Sequence, residues 1–129
     1  MLRELSVGHQ SWPLAAPFRI SRGVKHSAEV IAVEISQHGI RGRGQSVPYA
    51  RYGETIHSVQ QQIRLVAKAV EAGSSRAELA ELLPAGAARN ALDCALWDLK
   101  ARLAGTSVWS MLRQPQPRAL TTALTVSLD

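Results

Sequence analysis

The chain has 129 residues, enough for one domain with a modest core, and its 46% apolar and 19% charged residues are those of a globular protein. Fifteen basic residues against ten acidic ones give a formal charge of +5. No aromatic–basic platform or DNA-reading motif accompanies the scattered arginines, which argues against nucleic acid and leaves a local anion site or an acidic partner surface to explain the charge.

The chain opens with β signals. "LRELSVGHQSWPL" reads as a first strand leading to Pro13, and "EVIAVEIS" (29–36) places Ile31, Val33 and Ile35 on one face with period two. "QHG" (37–39) is a turn with Gly39 free to take positive φ, and "IRGRGQSVP" (40–48) returns as a strand loosened by glycine. Three sequential antiparallel strands make a meander.

After residue 55 the period changes. Ile56, Val59, Ile63, Val66 and Val70 mark an amphipathic helix, with Ser58 and Gln61 at capping-box spacing and Gly73 as its stop. Ser75 and Glu78 repeat the box before a short helix ended by Pro84. "LLPAGAARNALDCALWDLKARLAG" (82–105) then gives a long helix, and "SVWSMLR" (107–113) adds one or two turns.

The long helix is apolar on too many sides for a simple surface helix. Ala88, Ala91, Leu92, Ala95, Leu96, Leu99 and Leu103 form a core stripe, while Asn90, Cys94, Trp97 and Ala101 form a second row nearly opposite. Such a helix is expected to pack on both sides. Asp98 and Arg102 have the acid-before-base i,i+4 order, worth roughly 0.2–0.5 kcal/mol.

"QPQPRALTTALTVSLD" closes the chain with a proline linker and a β pattern over 120–128 that has no hairpin mate in sequence. That pattern reads as the opening of another domain. The bounds expected are therefore 1–113 for the domain and 114–129 for a linker and a strand stub.

Catalytic constellations are scarce. The four histidines are isolated, with no metal-ligand spacing, and there is no Walker loop, no G-x-S-x-G and no C-x-x-C. No run approaches the ~18 apolar residues of a membrane span, the N-terminus lacks a signal-peptide core, and the single Cys94 cannot close an internal disulfide. A cytoplasmic protein with no membrane partner is the expectation. Two segments carry more. "APFRISRGVKH" (16–26) sets Phe18, Ile20 and Arg22 in a long connection between strands, and "SVPYARYGET" (46–55) crowds Tyr49, Arg51 and Tyr52 between Pro48 and Gly53. Long loops that hold aromatics and a lone arginine are the kind that bind ligands.

Taken in order, "PF.ISRG", "VPYARYGET", "PAGAARNALDCALWDL" and "ALTTALTVSLD" resemble the N-terminal capping domain of the enolase superfamily, and within it the dipeptide epimerases of the muconate-lactonizing subgroup. The resemblance covers essentially the whole chain. It implies an α+β cap, a three-stranded antiparallel meander followed by a helical bundle, seated on a (β/α)₈ barrel whose first strand is "TTALTVSLD". The second apolar row of the long helix would then face the rest of the enzyme, or self-associate in the domain alone.

The resemblance also implies Mg²⁺-assisted abstraction of the proton next to a carboxylate in L-Ala-Glu-like dipeptides, with two barrel lysines as base and acid. Those lysines and the acidic metal ligands would lie beyond residue 129, so no catalytic or metal-binding residue is expected here. What the resemblance assigns to this chain is substrate binding. Arg22 would pair with the substrate's glutamate side chain, Phe18 and Ile20 would wall the pocket, Tyr49 and Tyr52 would close it, and Thr125 would face the substrate from the first barrel strand. Gln45 is a departure, because relatives carry Glu in that "G.GE" position. A stand-alone binding module, or a remnant without catalysis, stays open as the alternative.

Overall fold

Alternation in β2 fixes how the sheet lies. In the computed structural model, which describes residues 2–126, β1 (Glu4–Ile20), β2 (Gly23–Gln37) and β3 (Ile40–Ser46) form an antiparallel sheet in the order β1-β2-β3. The register pairs Leu5 with Ile35, Val7 with Val33 and Val33 with Gly44. Side chains directly opposite share a face, so β2 turns Ile31, Val33 and Ile35 into the core with Leu5 and Val7 beside them. The β2–β3 turn holds both His38 (φ 52°) and Gly39 (φ 77°) in the left-handed region, as a two-residue hairpin with the strands' own twist requires. In sequence only Gly39 marks this region, since a histidine seldom takes it.

The helices cover one face of the sheet. Helix α1 (Ile56–Ala72) buries Val59, Ile63, Val66 and Val70. Its N-cap is Thr55, whose side chain accepts from the Ser58 amide at 3.0 Å while Ser58 Oγ accepts from the Thr55 amide at 2.9 Å. The expected Ser58–Gln61 box is therefore displaced by three residues, because Thr55 is the last residue in extended conformation. Gly73 ends α1 with φ 108°, as its position suggests. Helix α2 (Arg76–Leu82) carries the predicted Ser75–Glu78 box, and α4 (Val108–Met111) is capped by Ser107. Hydrogen bonding to Ser75 lowers the Glu78 carboxyl below its ordinary value.

Helix α3 (Ala87–Leu103) lies on β3 with Ala91, Ala95 and Leu99 completely or almost completely buried. Two glycines make this approach possible. A Cβ on Gly44 would overlap the Ala91 carbonyl oxygen and lie 2.7 Å from the Ala95 amide nitrogen, and one on Gly42 would collide with the Ala95 carbonyl and Leu99. Helix backbone and strand backbone are thus in contact, so these glycines serve packing and do not merely loosen a strand. The Asp98–Arg102 pair forms at 2.9 Å, and the second Asp98 oxygen accepts from the Arg43 amide of β3, also at 2.9 Å.

The second row on α3 is covered in part by the chain itself. Ala101 is buried, and Trp97 is half-covered by the Arg76 guanidinium, 4.0 Å from its ring centroid. Arg76 in turn grips Asp93 through two hydrogen bonds of 2.6 and 2.9 Å. Cys94 and Asn90 are exposed.

Residues 114–126 adopt no regular structure, so the strand expected over 120–128 is not formed in its described part. A strand needs a neighbour for its amides and carbonyls, and among the described residues this segment pairs with none. Residues 127–128 of that pattern lie outside the described residues. No helix among the described residues is long and apolar enough to cross a membrane.

Candidate functional site

The segment 16–26 is not the loop its prolines suggest. Strands β1 and β2 continue past the helices as a two-stranded ribbon, pairing Phe18 with Lys25, Arg19 with Val24 and Ile20 with Gly23, so that Ser21 and Arg22 form the tip. The prolines mark a register shift instead: between the Pro13–Ser27 and Phe18–Lys25 pairs, residues 14–17 stand opposite His26 alone. Proline lacks an amide donor, and a bulge is where a paired strand tolerates it.

Arg22 at this tip meets the segment that leaves β3. One cleft of about 600 Å³ is lined by Arg22 and Lys25 of the ribbon and by Pro48, Tyr49, Ala50 and Arg51 of the connection to α1. Two candidate residues separated by 27 positions, Arg22 and Tyr49, therefore line one cleft. Tyr52 packs its ring against that of Tyr49, with centroids 5.6 Å apart, and is otherwise 77% exposed. Phe18 and Ile20 do not line the cleft but share a ribbon face with Lys25, by the register of the strand pairs. Thr125 lies in the exposed tail and lines none of these surfaces.

Tyr49 also borders a second cleft of about 530 Å³ that runs to the start of α3 and includes Ser46, Tyr52, Glu54, Gly86 and Asn90. Here the structure reveals a residue that the sequence reading passed over. One Glu54 oxygen accepts from the Tyr49 amide at 3.0 Å, and the other accepts from the Ala87 amide at 2.7 Å. Glu54 so fixes the tyrosine loop to the N-terminus of α3, where a carboxylate also opposes the helix dipole. Gly86 permits the contact: its φ of 158° with ψ −176° is a region open essentially to glycine, and a Cβ there would lie 2.8 Å from Glu54 Oε1. The signal available in sequence was a lone acidic residue after Gly53 in a tight turn and an uncapped "PAGAA" helix start.

A polar cluster lies farther along the helix-side face of β2. Glu29 accepts from the hydroxyls of Ser11 (2.5 Å) and Ser27 (2.6 Å) and lies 2.5 Å from His9 Nε2. The hydrogen bonds from Ser11, Ser27 and His9, in that order, hold its carboxyl down at about 2. Gln45 contacts Gln10 at 3.4 Å on the exposed face of the sheet, so its side-chain amide touches neither cleft. Among the described residues no three side chains of His, Cys, Asp or Glu gather as a metal site.

Comparison with known proteins agrees with this architecture. Residues 2–112 match the mandelate racemase / muconate lactonizing enzyme N-terminal domain. The chain is 47% identical over 125 residues to the L-Ala-D/L-Glu epimerase of Escherichia coli, covering 97% of this chain but 39% of that enzyme. Among solved structures, an enolase family member from Agrobacterium tumefaciens with homology to dipeptide epimerases, bound to sodium and L-Ala-L-Glu with an ordered loop, superposes with a TM-score of 0.83 at 42% identity, over 88% of this chain and 35% of that one. A dipeptide epimerase from Cytophaga hutchinsonii, in complex with Mg and D-Ala-L-Val, gives a TM-score of 0.83 at 25% identity, over 100% of this chain and 38% of that one. The chain thus spans little more than a third of these relatives. It belongs to the mandelate racemase/muconate lactonizing enzyme N-terminal domain family, the capping domains of the enolase superfamily.

Proposed function

We propose that this chain is the substrate-recognition cap of a dipeptide epimerase acting on L-Ala-Glu-like dipeptides. The observation that carries the reading is the shared cleft of Arg22 and Tyr49, which two separate segments build at one end of the sheet. In it the Arg22 guanidinium, at the two-residue turn of the ribbon tip, pairs with the acidic side chain of the second substrate residue. Phe18 and Ile20, outside the cleft of the cap alone, supply apolar wall on the same ribbon once the barrel is joined, Tyr49 closes the cleft with Tyr52 packed on it, and Thr125 approaches substrate once the tail is paired as a strand.

Relatives of this domain carry the remainder of the enzyme in the same chain. The described residues do not themselves fit a Mg²⁺ ion, since no carboxylate or imidazole set converges. In this reading the ion and the proton-transferring lysines belong to the barrel, and the cap binds, orients and encloses. The chain is accordingly inactive by itself.

Proton exchange at the α-carbon of L-Ala-L-Glu in D₂O with Mg²⁺ tests this directly. The chain alone should give no exchange above a buffer blank. Substituted for the matching N-terminal segment of the E. coli relative, it should restore exchange. Turnover by the chain alone, or a folded but inert hybrid, would contradict the proposal.

A further inference from the structure

The cleft at the ribbon tip holds more positive charge than one substrate carboxylate needs. Arg22, Lys25 and Arg51 line it together with Pro48, Tyr49 and Ala50, and no acidic side chain is among the lining residues. The carboxylates that flank this region are engaged elsewhere. Glu29, on the same face of β2 as Lys25, is bound by Ser11, Ser27 and His9, and Glu54 by the Tyr49 and Ala87 amides. None of the ion pairs among the described residues involves Arg22, Lys25 or Arg51. Four other arginines are paired: Arg41 and Arg43 share Glu34, Arg76 takes Asp93 and Arg102 takes Asp98.

Three cationic side chains that line one exposed cleft repel each other, and each favours an anion there. An anion with a single charge relieves only part of that repulsion. Arg51 arrives from the 3₁₀ turn Ala50–Tyr52, which Gly53 closes at φ 72°, so the backbone of that turn sets where its side chain enters the cleft. Lys25 is set by its pairing with Phe18.

We propose that Lys25 and Arg51 form a second anion subsite beside Arg22, so that the cleft takes dipeptides acidic in both residues. One side-chain carboxylate sits on Arg22 and the other between Lys25 and Arg51. The inference rests on the reading that Arg22 holds the first carboxylate.

The test is an NMR titration of the ¹⁵N-labelled 129-residue chain with L-Ala-L-Glu and with L-Glu-L-Glu at one fixed ionic strength. L-Glu-L-Glu should bind at least about 10-fold more tightly. Lys25→Gln with Arg51→Gln should abolish that increment, weakening L-Glu-L-Glu by at least about 10-fold more than L-Ala-L-Glu, whereas Arg22→Gln should weaken both ligands. Both substituted side chains are exposed, and the unperturbed amide spectrum of the variant reports that it is folded. Equal affinity for the two peptides would overturn the proposal. So would an increment that survives the double substitution, or one lost equally when the remote Arg41 and Arg64 are replaced by Gln, since that would be net charge alone. An increment that depends on Lys25 and Arg51 while Arg22→Gln changes nothing would keep the second subsite and refute the role given to Arg22.

Discussion

The Glu54 carboxylate accepts a hydrogen bond from the Ala87 amide, 2.7 Å away, and so ties the loop bearing Tyr49 and Arg51 to the first residue of α3. Gly86 provides no side-chain cap, so Glu54 acts as a cap delivered from 33 residues upstream. Glu54→Ala removes both this bond and the one to Tyr49, and should cost about 1–2 kcal/mol in urea unfolding. Glu54→Gln keeps acceptor capacity and should lose less. Equal stability of wild type and Glu54→Ala would show that the carboxylate does not hold the loop.

Backbone contact between α3 and β3 predicts a strong asymmetry among glycines. Gly44→Ala forces a Cβ against the Ala91 carbonyl, which no side-chain rotation relieves, and should destabilise by about 3 kcal/mol or more. Gly8→Ala, where a Cβ meets nothing within 4 Å, should be neutral or slightly stabilising. Paired thermal melts of the two variants check this, and similar melting shifts would refute the close packing.

Glu29 makes the acid limb of stability testable. Its folded carboxyl is lowered from 4.5 to about 2, so the unfolded chain binds the proton first as pH falls. The stability that ionised Glu29 contributes is complete above about 4.5 and is lost as pH drops through the folded value near 2. The difference in urea midpoint between wild type and Glu29→Gln should accordingly shrink steadily across that window. A difference that stays constant from pH 6 to pH 2.5 would mean that the serine and histidine contacts do not favour the charged form.

Much of this fold is legible in sequence because the decisive forces there are local. The period-two run at Ile31, Val33 and Ile35, the Ser75–Glu78 box, the Gly73 stop and the Asp98–Arg102 pair are each specified within a few residues, and the structure forms all of them. What sequence hid depends on distant partners. Gly42 and Gly44 look like loosening until α3 is laid on them, and Glu54 looks solvated until Ala87 arrives. The ribbon of 16–26 reads as a loop because Pro13 and Pro17 are ordinarily strand breakers, and only the pairing with β2 shows that the break is a bulge. At the site, Arg22, Tyr49 and Arg51 lie in the two segments that stand out in sequence, whereas their shared cleft, and the place of Lys25 in it, emerge only from the fold.

The most direct measurement of the account is the substrate dependence of Arg22→Ala in a protein where this cap is joined to a barrel. If Arg22 pairs with the acidic side chain of the second residue, kcat/KM for L-Ala-L-Glu should fall by roughly 10- to 100-fold or more, the loss expected from a charge-assisted pair worth about 1.5–3 kcal/mol. L-Ala-L-Leu, which offers the guanidinium no carboxylate, should lose much less. Equal losses for both dipeptides would contradict the specificity role and leave Arg22 as a shaper of the ribbon tip, and no loss for either would contradict its place in the site.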